Sequence, residues 1–252
     1  SNLDGSSFNL GVNAAMLETI RHRGPDSSGE YAMSQATDSL HRRLSIIDLS
    51  DAARQPMSVA GLTIVYNGEV YNFRELREVL KKLGGRFKSQ GDTEVVLNAY
   101  IQWGEKCLDV FNGMFAFAIY DGSKIFLARD RYGIKPLYYY LDDKHFIFAS
   151  EVKAILKHPA VKAEVDLVAL REYFTFQNIF SDRTLFKGIK MLPAGHYATM
   201  DLKSGKLSLH QYWDYKFDPQ RISFGEAAEE TRRLFEQAVE RQLVSDVPVG
   251  SF

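Results

Sequence analysis

Four short runs hold most of the chemically capable residues of this sequence: His22-Arg23-Gly24-Pro25-Asp26, Arg43-Leu44-Ser45-Ile46-Ile47, Tyr66-Asn67-Gly68-Glu69-Val70-Tyr71-Asn72 and Gly91-Asp92-Thr93-Glu94. Asn67 offers a side-chain amide, and Gly68 offers a main-chain N–H that no Cβ obstructs. Two such donors side by side suit the oxyanion that develops when a carbonyl carbon is attacked. Arg43 suits a carboxylate, which its planar fork grips with paired hydrogen bonds. Asp92 suits an ammonium group, with Glu69 as a second acceptor. Taken singly, each has a plainer reading. Asn-Gly is a tight-turn dipeptide, and a lone Arg and Asp form an ordinary surface charge pair of little energetic consequence. The run from His22 to Asp26 reads as architecture, because Gly-Pro fixes a turn and Asp26 can accept from nearby main-chain amides.

These residues need elements to position them. Val12, Met16, Leu17 and Ile20 share a helical face over residues 12–20. Asn72 and Glu75 have the spacing of a capping box. The helix they would open has Phe73, Leu76, Val79, Leu80 and Leu83 as its inward stripe and stops at Gly84-Gly85. Thr93 to Trp103 reads as another helix, with Val96, Ala99, Tyr100 and Trp103 inward. The middle of the chain turns to strands. Met114 to Tyr120 is continuously apolar, as expected of a strand covered on both faces, and ends at the hairpin signal Asp121-Gly122. Lys124 to Ala128 is the return strand. Pro136–Leu141 and His145–Ala149 flank Asp142-Asp143 as a second hairpin, and His196–Asp201 and Lys206–Tyr212 flank Lys203-Ser204-Gly205 as a third. Tyr138, Tyr139 and Tyr140 are then alternating strand residues. Short helices are expected at 151–157 and 167–174. Residues 214–222 read as a connector. Ser223 and Glu226 form another capping box, opening a helix with Ala227, Thr231, Leu234, Phe235, Ala238 and Leu243 on one side.

The 252 residues are 45% hydrophobic and 25% charged, which supplies a core of ordinary size. The balance of 31 basic and 32 acidic side chains lacks the basic excess of a nucleic-acid binder. No apolar run approaches the roughly 18 residues of a membrane helix. The single cysteine, Cys107, cannot form an internal disulfide, and a reducing, cytoplasmic setting fits. It reads as a buried small hydrophobe. The six histidines show no metal-ligand spacing, so no metal is expected. Arg129, Asp130, Arg131 and Lys135 read as a buried ionic scaffold.

Together the four runs resemble the glutaminase domain of class II glutamine amidotransferases, most closely glutamine-hydrolysing asparagine synthetases. The likeness continues through Gly113–Asp121, Leu127–Tyr139, Ala149–Ala154, Leu192–His196 and Ser245–Gly250. It implies an α+β fold: a four-layer αββα N-terminal-nucleophile-hydrolase sandwich of two mainly antiparallel sheets, followed by the start of an α/β ATP-pyrophosphatase-type synthetase domain. Residues 1–212 would be the glutaminase domain without its first strand, and 213–252 a linker with the first helix of the second domain. It implies that Asn67 and Gly68 form the oxyanion hole. It also implies that glutamine is held by Arg43, Leu44, Ser45, Ile46, Ile47, Asn67, Gly68, Glu69 and Asp92.

In the resembling family the nucleophile is an N-terminal cysteine whose own α-amino group serves as base. This sequence begins Ser1-Asn2-Leu3 and has no such cysteine. Ser1 is not read as its replacement, because the apolar strand that would hold it is missing. The chain as it stands is expected to bind glutamine weakly, to release no ammonia and to leave unpaired groups at a sheet edge. The parent would be an ATP-dependent asparagine synthetase that passes ammonia to aspartate. ATP and Mg would belong to its synthetase domain, with no cofactor in these residues. Glutamine and that synthetase domain are the expected partners, nucleic acid and membrane are not, and a homodimer is left open. Two alternatives stand beside this reading: an asparagine-synthetase-like amidotransferase with another carboxylate acceptor, and a pseudo-glutaminase that only binds glutamine.

Overall fold

The computed structural model describes residues 1–250; Ser251 and Phe252, which close the run from Ser245, lie outside them. The elements in chain order are α1 (Leu10–Thr19), β1 (Ser27–Ala32), β2 (Asp38–Arg43), β3 (Met57–Val59), β4 (Leu62–Val70), α2 (Phe73–Lys82), α3 (Asp92–Trp103), α4 (Cys107–Val110), β5 (Gly113–Tyr120), β6 (Lys124–Arg129), β7 (Tyr138–Leu141), β8 (Phe146–Ala149), α5 (Val152–Ile155), α6 (Leu167–Phe176), β9 (Ile189–Met191), β10 (His196–Asp201), β11 (Lys206–Gln211) and α7 (Phe224–Gln242).

Six strands form one antiparallel sheet in the order β11-β10-β6-β5-β4-β3, three form a second in the order β8-β7-β9, and β1-β2 is a separate hairpin. Strand alternation sorts the core into layers. Ile64 and Tyr66 of β4, Phe115, Phe117 and Ile119 of β5, and Phe126 and Ala128 of β6 face α2, α3 and α4. The intervening residues Ala116, Ala118, Ile125 and Leu127 turn the other way and meet Leu137, just before β7, and Tyr139 and Phe146 of the smaller sheet. The outer face of that sheet offers Ile147 and Ile189 to Ile155 and, at the margin, to Met16 of α1 and Val152 of α5. The result is helix, sheet, sheet, helix. β5 lies between β4 and β6 with both faces covered, which is why its sequence is continuously apolar.

All three expected hairpins form, at 120–125, 141–146 and 201–206. Three expectations need correction. Asn72 caps nothing with its side chain; its amide instead donates to Val110 O at 2.9 Å and accepts from Asn112 N at 3.0 Å, tying α2's start to the loop before β5. In α2, Val79 and Leu83 are exposed, and Arg77 takes the buried position beside Leu76 and Leu80. In α3 the helix is buried nearly all round, from Asp92 through Ala99, rather than along one stripe. The Ser223–Glu226 capping box is present, yet α7 buries none of its residues.

Residues 1–3 stitch two sheets together at one end. Ser1 and Phe146 exchange both main-chain bonds, at 2.8 and 2.9 Å, while Asn2 N donates to Ala36 O at 2.8 Å. Ser1 thus partners the edge strand β8 at Phe146. Leu97, wholly buried among the helices and the large sheet, tests the outer core. Leu97→Ala is expected to cost about 2–5 kcal/mol, measured as a lower urea midpoint with an unchanged denaturant slope.

Candidate active site

Between the two sheets and the β1-β2 hairpin lies a cavity of about 820 Å³, within the size range of small-molecule sites. β4 supplies its most distinctive wall. Because Ile64 and Tyr66 face the helices, alternation turns Val65, Asn67 and Glu69 toward the space between the sheets, and all three line the cavity. The side-chain amide nitrogen of Asn67 is buried and has no hydrogen-bond partner among the described residues.

Gly68 adds a second donor beside it. It sits opposite Phe115 in the β4-β5 ladder. Phe115 spends its N–H and C=O on Asp130, on the far side of β5. Gly68 and Phe115 are therefore a non-bonded pair, and Gly68 N–H points to the opposite edge of β4. On that edge Tyr66 N donates to Gln55 Oε1 at 2.6 Å and Val70 N donates to Asp92 Oδ2 at 3.0 Å. Gly68 N–H lies between these two, beyond the reach of β3, which pairs only with residues 62–64. Only glycine fits here: φ is +155°, and a Cβ would lie 2.1 Å from Met114 O.

Asp92, the first residue of α3, is buried and also accepts the Tyr66 hydroxyl at 2.6 Å. Burial pushes its carboxyl pKa up, and the bonds from Tyr66 and Val70 pull against that shift. Glu69 is also raised, first by burial and then by the charge of Asp92, while Lys135 draws it down. Lys135 lines the same cavity; burial lowers its pKa and Glu69 opposes this.

Arg43 ends β2 at the cavity wall, and its guanidinium donates to Ser50 O and Ile47 O, each at 3.4 Å, and to Asp48 O. Its fork thus shapes the 47–50 loop. Leu44, Ile46 and Ile47 line the cavity with it. Ser45 does not; its N–H is held by Asp26 Oδ2 at 2.8 Å. Within the 22–26 run Asp26 and Gly24 hold main chain in place, a Cβ on Gly24 lying 2.3 Å from the Arg42 carbonyl carbon, whereas His22 and Arg23 line the cavity and bond to Glu151 at 2.9 and 3.3 Å. The cavity thus gathers eight of the nine residues named for glutamine: Arg43, Leu44, Ile46, Ile47, Asn67, Gly68, Glu69 and Asp92.

The ionic scaffold at 129–135 is built differently from the expectation. Arg129 donates to the carbonyls of Lys135, Leu192 and Gly133, and the Asp130 carboxylate accepts from the N–H groups of Phe115, Tyr132, Ile134 and Lys135. These charges hold main chain rather than each other. Cys107 lies in the outer core, away from the cavity, and burial drives its thiol pKa far up, which removes it as a nucleophile. Sequence reasoning missed Gln55 and Asp48, which shape the site through bonds to residues distant in sequence, and His41, which lines the cavity. Tyr66 was noticed only as part of a motif.

A family model described as a glutamine amidotransferase domain matches residues 6–213. The chain belongs to this glutamine amidotransferase family. The domain is 42% identical to asparagine synthetase [glutamine-hydrolyzing] 3 of Bacillus subtilis over 244 residues, which cover 94% of this chain and 39% of that protein. It is 37% identical to asparagine synthetase [glutamine-hydrolyzing] 1 of the same organism, covering 94% of this chain and 38% of that one. The amidotransferase chain thus spans well under half the length of these relatives. Its fold is shared with glutamine phosphoribosylpyrophosphate amidotransferase from B. subtilis, with a TM-score of 0.60 and 17% identity over 83% of this chain and 48% of that one.

His41 on β2 lines the cavity, and burial, followed by the charge of Arg43, lowers its pKa from 6.5 to about 4. Between those values the unfolded chain binds a proton that the folded one refuses. Stability is therefore expected to fall as pH drops from 6.5 toward 4. Urea midpoints across that window check this, and His41→Gln is expected to flatten the slope.

Proposed function

We propose that this domain binds glutamine and stabilises the oxyanion formed when its side-chain amide is attacked, so that ammonia is released. The observation that carries this reading is the buried Asn67 amide, without a partner among the described residues, next to the Gly68 N–H on the edge that β3 does not reach, both on one cavity. A buried donor without a partner is costly to keep, and a carbonyl oxygen that gains negative charge is the group it would serve best. Asp92 and Glu69 supply negative charge for the α-ammonium of the substrate. The Arg43 loop, with its fixed guanidinium, supplies the opposite sign for the carboxylate.

The nucleophile of this reading is the N-terminal cysteine implied by the resemblance, which is not among these residues. As the thiolate bonds to the carboxamide carbon, the C–N bond breaks, ammonia leaves with the proton taken from the thiol, and water later cleaves the thioester. The names of the relatives support an asparagine synthetase as the whole protein, with ammonia amidating aspartate. The ATP- and Mg-dependent activation of that carboxylate is assigned to the part of the relatives' length that this chain does not span.

Recognition can be tested on the 252-residue polypeptide by titration calorimetry. L-Glutamine is expected to bind and D-glutamine to fail. Asn67→Ala is expected to weaken L-glutamine by about fivefold while leaving the unfolding midpoint unchanged or higher, because the amide it removes has no partner. No heat or chemical-shift change with millimolar L-glutamine would overturn the reading.

A further inference from the structure

After α7 the chain returns to the cavity wall from the outside. Val244 packs against the margin of the outer core. Asp246 N donates to Ile46 O at 2.9 Å, and the Asp246 carboxylate accepts from Asp48 N at 2.7 Å. One residue thus bonds the 46–48 loop in both directions, as a strand would, although it lies about 200 positions away.

The loop residue it grips is a junction. Asp48 is buried and has φ +53°, a left-handed conformation that Asp tolerates better than most residues. Every polar group on it is engaged. Its N–H goes to Asp246 and its C=O accepts from Arg43. One carboxylate oxygen accepts Ser50 N at 3.0 Å and Ser50 Oγ at 2.5 Å, and the other accepts Gln90 N at 2.5 Å. Gln90 stands two residues before Asp92. Asp48 therefore joins the arginine side of the cavity to the aspartate side, and Asp246 is its only tie to the segment beyond α7 among these bonds.

From this geometry we infer that Asp246 is a positioning residue through which the placement of the 244–247 segment and the occupancy of the amino-acid cavity are coupled. Asp246 touches no reacting atom. It holds Asp48 N–H, and through Asp48 it sets the distance between Arg43 and Asp92. Coupling of this kind is reciprocal: a ligand that needs the loop in place favours the docked segment, and a docked segment favours the ligand. The ligand part of the inference rests on the glutamine reading above; the mechanical part does not.

The test uses the whole polypeptide with Asp246→Ala, Asp246→Asn and, as a control in the exposed connector, Asp218→Ala. Amide hydrogen exchange is followed at Asp48 and Gln90, first without ligand. Asp246→Ala is expected to speed exchange at both by about tenfold or more, with Asp246→Asn intermediate because its amide oxygen still accepts, and Asp218→Ala unchanged. The glutamine Kd is expected to rise about tenfold in Asp246→Ala and about threefold in Asp246→Asn. Glutamine is expected to slow exchange at Val244–Val247 in the unaltered chain and in Asp218→Ala, less in Asp246→Asn, and not in Asp246→Ala. Unchanged exchange at Asp48 and Gln90, with α7 and the core protected as before, would overturn the mechanical tie. Altered exchange with an unchanged Kd would overturn the coupling to ligand. Failure of the unaltered chain to bind glutamine would fall on the functional reading and on the ligand coupling that depends on it, and the ligand-free exchange would still decide the tie.

Discussion

The exposed edge of β4 is the constraint on which the rest of the site depends. A strand edge carries N–H groups that need acceptors, and here no strand supplies them beyond residue 64. Side chains do so instead: Gln55 reaches Tyr66 N, and Asp92 reaches Val70 N. The edge is stabilised at two points, and the point between them stays open. If a strand covered it, Gly68 N–H would be spent on a ladder. If nothing held it, the N–H groups of Tyr66 and Val70 would also lack acceptors, although the β5 ladder fixes the register of β4. Asp92 also takes the Tyr66 hydroxyl, so one carboxylate fixes two points on β4 from the first turn of α3.

A second regularity explains how so many charges can be buried. The buried ionic groups of this domain bond mostly to main chain. Arg43, Arg77 and Arg129 donate to carbonyls. Glu94 accepts from Lys88 N and Ser89 N, and Asp130 from four amides. Such bonds satisfy a charge whose transfer from water would otherwise be costly, and they lock loops that have no regular structure of their own. The approach to Asp92 is gripped this way from both sides, by Arg77 on Ser89 O and Gly91 O and by Glu94 on the preceding amides. Loops built like this respond to a change at one residue, which is why Asp48 can relay a contact made at Asp246.

Much of the fold could be read along the chain because it depends on local rules. The hairpin at Asp121-Gly122, the buried strand before it and the capping box at Ser223 each follow from a few adjacent residues. The misread elements share a cause, which is competition from distant partners. Asn72 was drawn away from its helix by the 110–112 loop, and Arg77 was buried because Ser89 and Gly91 offered it carbonyls. The helix α7 has its expected cap, but its apolar residues are exposed, since nothing among the described residues covers them.

The sequence by itself determined which residue types were on hand, their order, and the membership of a glutamine amidotransferase family through spaced motifs. These depend on identity and separation, which one dimension records. Only the tertiary structure decided what each group does with its hydrogen bonds. Asn-Gly reads as a turn in isolation; in the fold it lies in a strand, with the Asn67 side chain turned between the sheets and the Gly68 N–H on the edge that β3 does not reach. Arg43 and Asp92 read as a charge pair; in the fold one grips a loop and the other a strand. The physical reason is that a donor or acceptor is satisfied by whatever the fold brings within about 3 Å of it, and that neighbour is set by packing rather than by sequence distance.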